Sequence, residues 1–177
     1  MKIAIIGYCG SGKSTLAAAL GKRYGLPVLH LDTIHFAPGW VERPRSDMLA
    51  DYRAFCAAHP EGWVIDGNYI GCDYAERMKA ADLIVSFQYN RFFCLYRVYK
   101  RYFTYRGRSR DSAAPDCPEK VDWAFVKWVL WDGRNRQRRR RYRWEQDTYP
   151  GKTAVLNNRR ALSRFLNALD RRAADKL

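Results

Sequence analysis

A chain of 177 residues fits a single domain and is long enough to bury a sizeable core. Its apolar content of 47% excludes general disorder, and no apolar run approaches the ~20 residues that a bilayer-spanning helix needs, so no membrane partner is expected. The formal charge of +14 sits wholly in the second half: residues 1–90 hold 9 Lys/Arg and 9 Asp/Glu, residues 91–177 hold 23 and 9. Such asymmetry predicts a polyanionic partner, either nucleotide phosphates or a nucleic acid backbone. Five cysteines without C-x-x-C spacing read as reduced thiols rather than a disulfide frame or zinc site. With an N-terminal apolar run too short for a secretory leader, the expected location is cytoplasmic.

Residues 2–6 (Lys-Ile-Ala-Ile-Ile) read as a buried strand, and residues 16–20 (Leu-Ala-Ala-Ala-Leu) as helix. Between them Gly7, Tyr8, Cys9, Gly10, Ser11, Gly12, Lys13, Ser14 and Thr15 spell Gly-x-x-x-x-Gly-Lys-Ser, the phosphate-binding loop, in the strand–loop–helix context it requires. Glycines let the backbone curl around a phosphate chain and turn N–H groups inward, and the helix N-terminus adds a field favourable to anions. Lys13 is expected at the β- and γ-phosphates of ATP, and the Ser14 hydroxyl on Mg²⁺.

The first helix spans about residues 13–24 and stops at Gly25. A second strand, residues 28–31, closes on Asp32. A helix over 46–58 is capped by Ser46 and turns Leu49, Tyr52, Phe55 and Cys56 inward. Residues 63–65 form a third strand ending at Asp66, a short helix covers 74–79, and the fourth strand is 83–87. An aromatic and basic helix covers 91–105, with Phe92, Leu95, Tyr96, Tyr99, Tyr102 and Phe103 as its apolar part. Residues 107–118 are loop, 121–142 one long helix, 154–156 the last strand, and a helix closes from about 159. Strands alternating with helices predict an α/β fold: a parallel sheet covered on both faces, in one domain.

In open α/β sheets the ligand crevice lies at the carboxyl ends of the strands, where the loop, Asp32 and Asp66 all fall. Asp66 follows three apolar residues, the usual setting for holding a magnesium-bound water beside Ser14. Asp32 is placed to orient or deprotonate an acceptor hydroxyl. Which of the two is base and which serves the metal stays open, and both are candidate substrate contacts. His30 reads as structural. His35, past the strand end, is a candidate acceptor-pocket residue, and Arg77 a weaker candidate for holding an acidic acceptor.

Arg101 first, then Arg97, Arg106 and Arg108, are the candidates for stabilising the transferred phosphoryl group. With Arg110 they suit a basic lid, about residues 101–120, that excludes water on closing. Residues 134–143 differ in kind, because seven of the ten are arginine. Spread around a helix, they cannot all face one small ligand; with Tyr142 and Trp144 interleaved they suit nucleic acid or a solvated face equally well. The tryptophan-rich stretch before them reads as core or dimer interface, leaving monomer or homodimer open.

The Gly7–Thr15 loop, His30-Leu31-Asp32 with Ile34-His35-Phe36, Trp63-Val64-Ile65-Asp66-Gly67-Asn68-Tyr69, Leu95-Tyr96-Arg97-Val98, and Cys117-Pro118-Glu119-Lys120 with Asp122-Trp123 together resemble a bacterial family. It is that of the adenylate-kinase-like proteins called DNA topology modulation proteins, and the resemblance extends to about residue 132. It implies a P-loop kinase fold with a five-stranded parallel sheet in order 2-3-1-4-5, an ATP site at the loop and a basic lid. The topology label implies a link to DNA. Adenylate kinases read Asp-Gly-Phe-Pro-Arg after the third strand, whereas Asp66-Gly67-Asn68-Tyr69-Ile70 lacks that arginine. An Asp at the end of strand two is more like kinases of small hydroxyl compounds. The expected activity is therefore ATP- and Mg²⁺-dependent phosphoryl transfer to a small hydroxyl or nucleotide acceptor. The alternatives are a nucleic-acid-binding regulator acting through residues 134–143, and an NTPase that uses only water.

Overall fold

The computed structural model describes residues 1–108, 110 and 112–174, with side chains to residue 171. Five parallel strands form its centre: β1 (Lys2–Gly7), β2 (Val28–His30), β5 (Trp63–Asp66), β6 (Leu83–Phe87) and β7 (Thr153–Leu156). They run in the order β2-β5-β1-β6-β7, which counted along the sheet strands alone is 2-3-1-4-5 as expected. In β1 and β5, Ile3, Ala4, Ile5, Ile6, Val64 and Ile65 are buried on both faces, which explains why these strands read as unbroken apolar runs. Around the sheet pack α1 (Lys13–Tyr24), α3 (Arg45–Ala58), α4 (Tyr74–Ala80), α5 (Arg91–Thr104), α6 (Trp123–Leu130), α7 (Arg136–Thr148) and α8 (Arg159–Ala174). A short helix α2 (Leu31–His35) and a small hairpin of β3 (Phe36–Ala37) and β4 (Val41–Glu42) follow β2. No helix among the described residues is long and apolar enough to cross a membrane.

Three expectations fail, each for a local reason. The expected helix over 121–142 is two, α6 and α7, separated by a 3-10 turn at Asp132–Arg134. Asp122 caps α6 by accepting from the Phe125 N–H at 2.8 Å, and Asn135 caps α7 by accepting from the Arg138 N–H at 2.9 Å. Gly133 permits the break, since a methyl there would lie 2.7 Å from the Trp128 carbonyl oxygen.

The inner side of α5 is not its aromatic side. Cys94 and Val98 are buried, whereas Phe92, Tyr96, Tyr99 and Phe103 are exposed. A methyl on Gly10 would lie 2.6 Å from the Cys94 carbonyl oxygen and 2.8 Å from Val98 Cγ2, so the helix rests on the loop through its smallest residues. Rings do not fit there.

Finally, α3 begins at Arg45 with Pro44 rather than Ser46 at the cap; its inner face is as expected, with Tyr52 buried and Leu49, Phe55 and Cys56 packed partly buried against the core, and Met48 joins them.

Candidate functional site

At the carboxyl ends of β1, β2 and β5, the loop after β1, α2 with its hairpin, and the segment after β5 enclose a cavity of about 590 Å³. The loop owes its shape to glycines. Gly7, Gly10 and Gly12 have φ of 135°, 74° and 102°, a region costly for residues with a Cβ. A methyl at Gly7 would stand 2.3 Å from the Phe87 carbonyl oxygen. No side chain caps α1 at Gly12, so the amides of its first turn, at Lys13, Ser14 and Thr15, are available to an anion. The Ser11 hydroxyl donates to the Tyr8 carbonyl at 2.7 Å and Lys13 Nζ to the same oxygen at 3.2 Å, bracing the loop from within.

Asn68, not singled out by sequence, pins this loop to β5. Its Oδ1 accepts from the Gly7 N–H at 2.9 Å and its Nδ2 donates to the Gly7 carbonyl at 2.6 Å. An amide two residues after a strand-end Asp is the signal that marks it, but only the sheet order brings it beside Gly7.

Asp66 is 5% exposed, and its Oδ2 lies 3.1 Å from His30 Nδ1. Burial opposes its charge. The hydrogen bond from His30, the positive charge of Lys13 and the Ser14 hydroxyl outweigh that, and hold the carboxyl below its ordinary range. Its Oδ1 is buried without a partner among the described residues. An ionised carboxylate with a free oxygen beside a P-loop serine is the donor set that suits magnesium and its waters. The residues present fit that ion. His30, read as structural from the sequence, therefore acts on the site by orienting Asp66.

Asp32 has moved off the strand. The strand stops at His30, and Asp32 stands in the first turn of α2, half-buried in the cavity wall. The Tyr69 hydroxyl donates to its Oδ1 at 2.7 Å. Burial and the adjacent Asp32 charge raise the Tyr69 phenol, which therefore remains a neutral donor. His35 lines the cavity too, its ring 4.2 Å from that of Tyr69 and its Nε2 3.7 Å from Glu42 Oε1.

The basic candidates divide. Arg101 lines the cavity and donates from Nε to Glu119 Oε2 at 2.9 Å; Arg110 lines it and binds the other oxygen of the same buried carboxylate. Arg97 lies over the loop itself, since a methyl on Gly12 would meet its Nη2 at 2.8 Å. Cys9, Lys13 and Ser14 line the cavity, whereas Thr15, Arg106 and Arg108 are exposed and do not. Residues 109 and 111 of the lid-like segment lie outside the described residues.

Arg77 is not at the cavity either. It is buried behind β5, donating from Nη2 to the Gly67 carbonyl at 3.1 Å between the rings of Tyr52 and Tyr74. Burial lowers its affinity for the proton.

The arginine-rich run supplies what sequence reading missed. Arg134 and Arg138 line the cavity, and Arg141 reaches the Asn68 carbonyl at 3.4 Å. Arg134 donates to the carbonyls of Val129 at 3.0 Å and Tyr89 at 2.9 Å, while its Nη2 is buried without a partner. Arg138 and Arg141 share one side of α7 at a spacing of three, whereas Arg134 joins them from the 3-10 turn before that helix, so no single helical period marks the set. Tyr142, expected as a stacking residue, is instead buried against Tyr8 with ring centres 5.2 Å apart.

No family model matches the chain, and no curated protein matches its sequence. Solved structures do. A shikimate kinase from Bacteroides thetaiotaomicron is 18% identical with a TM-score of 0.51, over 96% of this chain and 98% of its own. The deoxyadenosine kinase from M. mycoides with bound dATP is 16% identical with a TM-score of 0.50, over 96% of this chain and 100% of its own. At such identities the likeness concerns architecture alone: this chain has the P-loop kinase fold.

Proposed function

We propose that this chain is an ATP- and magnesium-dependent phosphotransferase that transfers the γ-phosphoryl group to a small acceptor, with a hydroxyl as the receiving group. The observation that carries this reading is the meeting of three groups in one cavity: the glycine loop with Lys13, the buried Asp66 beside Ser14, and Asp32 held by Tyr69. A loop alone would suit any nucleotide binder, whereas a second carboxylate facing the same space gives an acceptor a place to stand.

The division of labour follows from environment. Asp66, buried and ionised with one free oxygen, and the Ser14 hydroxyl would hold magnesium, which neutralises charge on the phosphates when bound. Asp32, half-buried and open to the cavity, accepts the proton of the acceptor hydroxyl. Lys13 and Arg97 lie against the loop, where they neutralise charge on the phosphates. Arg101 and Arg110 reach the same cavity from the lid-like segment and serve the transferred group when that segment closes.

The test is Lys13→Ala. Nucleotide turnover disappears while the far-ultraviolet spectrum and melting of the ligand-free protein stay unchanged; normal turnover in the folded variant would refute the assignment. Turnover that no acceptor accelerates identifies a water-using NTPase instead. The nucleic-acid reading keeps only the exposed Arg136, Arg139, Arg140 and Arg143, and requires binding that weakens steeply with salt.

A further inference from the structure

Two segments wall the acceptor side of the cavity: residues 31–42, from α2 through the β3–β4 hairpin, and residues 66–71 after β5. Neither contains a lysine or arginine. What they bring are the carboxylates of Asp32, Glu42 and Asp66 and a run of rings. His35 stands 4.2 Å from Tyr69 and 4.5 Å from Phe36, and Phe36 stands 5.2 Å from Trp40, centre to centre. The cations that line the cavity come from outside these segments: Lys13 from the loop, Arg134 and Arg138 from the arginine-rich run, Lys120, and Arg101 with Arg110, which already share Glu119.

Trp40 carries a second mark. Its φ of 64° lies in the left-handed region, which a bulky residue rarely enters. The neighbouring loop holds it there: the Gly39 N–H donates to the Asp116 carbonyl at 3.0 Å, the Trp40 N–H to Cys117 Sγ at 3.3 Å, and Trp40 Nε1 to the Pro118 carbonyl at 2.9 Å. Strain retained by such over-determined contacts clusters at ligand clamps. Here it presents an indole to the cavity.

We propose that the acceptor is an uncharged heteroaromatic alcohol, its ring packed in the corner between Trp40 and Phe36, whose planes stand 75° apart, and its hydroxyl presented to Asp32. This rests on the phosphotransferase reading and narrows it. A phosphorylated or carboxylated acceptor would face Asp32 and Glu42 with no lysine or arginine supplied by these two segments, a juxtaposition of like charges. A flat ring gains stacking and apolar contact. In the step itself, the hydroxyl oxygen bonds to the γ-phosphorus, the bond from that phosphorus to the β–γ bridging oxygen breaks, Asp32 takes the proton, and ADP leaves.

Nucleosides and hydroxymethylated pyridines share this chemistry, so the experiment separates them. The full chain is melted with magnesium and a non-hydrolysable ATP analogue, then with added adenosine, cytidine, pyridoxine, the 5′-monophosphates of both nucleosides, or gluconate. Further stabilisation by a nucleoside or by pyridoxine, with none from the monophosphates or gluconate, is the expected result, and the active arm names the source. Silence of every aromatic alcohol, or a shift from the charged compounds instead, overturns the proposal while the analogue's own shift keeps the nucleotide site standing. If the analogue alone gives no shift, the underlying reading falls with it. Phe36→Leu and Trp40→Leu supply a kinetic check. Each raises KM for the active alcohol roughly tenfold and leaves KM for ATP within about twofold. An unchanged acceptor KM in either folded variant contradicts the stacking wall.

Discussion

The guanidinium carbon of Arg134 lies 3.8 Å from the centre of the Tyr8 ring, so a residue of the arginine-rich run is stacked on the phosphate-binding loop. Two carbonyls, of Val129 and Tyr89, fix the plane of that guanidinium, and its remaining Nη2 is buried without a partner among the described residues. Arg134→Ala strands both carbonyls and removes the stack; the expected loss of stability is roughly 2–4 kcal/mol. Arg134→Lys keeps the charge without the planar fork and recovers less than half of it. Urea unfolding of the two variants beside the parent decides the point, since a lysine variant as stable as the parent would mean that charge alone matters there.

Asp66 contributes to stability through its lowered carboxyl. A depressed value in the folded state means that the contribution is present above the unfolded value and is lost as pH falls through the folded one. Asp66→Asn therefore flattens the acid limb of the stability curve. It also removes the magnesium-dependent part of the stabilisation by an ATP analogue, leaving the magnesium-independent part. Melting at several pH values, with and without magnesium, measures both.

Glu145 has the opposite sign. It is buried beneath α7, where its Oε1 accepts from the Tyr74 hydroxyl and its Oε2 has no partner. Burial pushes its carboxyl up to about 7, against the Tyr74 hydrogen bond and the charges of Arg141 and Arg77. A raised carboxyl favours the fold fully below the unfolded value, and the benefit is lost as pH rises through the folded one. Between about pH 4.5 and 7 the chain should lose on the order of 2 kcal/mol from this group. Glu145→Gln removes that slope and is more stable than the parent at pH 8, as paired chemical denaturations would register.

Glu119 ties the lid-like segment down by holding Arg101 and Arg110 at once, and it is 6% exposed. Glu119→Gln leaves two guanidinium groups without their shared counter-charge. Limited proteolysis should then cut within 105–119 markedly faster while the strands stay protected. Unaltered cleavage would mean that the hydrogen bonds to the Phe36–Glu42 hairpin suffice.

Gly10→Ala tests the packing of α5 on the loop. Its φ of 74° and the 2.6 Å approach to the Cys94 carbonyl oxygen leave a methyl no room, and backbone cannot step aside cheaply. A loss of roughly 2–3 kcal/mol is expected, with weaker nucleotide binding, by thermal melting and titration. Gly25→Ala, also at positive φ but with open space around it, costs roughly 1 kcal/mol and leaves nucleotide binding intact.

The strands and the loop were readable because their signals are local. Residues 2–6, 63–65 and 83–87 are short apolar runs bounded by turn residues, and the glycine–lysine pattern has one geometry that satisfies it. That Asp32 and Asp66 reach one cavity is legible for the same reason: each follows an apolar run, and a parallel sheet sends every such end to one crevice. What escaped was set by distance in sequence. Asn68 bonds to Gly7, Arg134 stacks on Tyr8, and His30 orients Asp66, pairings that exist only once the sheet order is fixed. Periodicity also misjudged α5, because it ranks residues by how apolar they are and not by whether they fit.

The amino-acid sequence by itself determined the parallel α/β layering, the order of its strands through the family resemblance, and a loop shaped for phosphate, since backbone preference and burial of apolar runs act over a few residues. Tertiary structure alone decided which of the many arginines turn inward, that Arg77 supports β5 from behind instead of facing the cavity, and that Phe36, Trp40 and Tyr69 gather with the carboxylates of Asp32 and Glu42 in the cavity wall. Those outcomes depend on close packing between elements far apart in the chain, where the space left for a side chain, and not its type, chooses its neighbours.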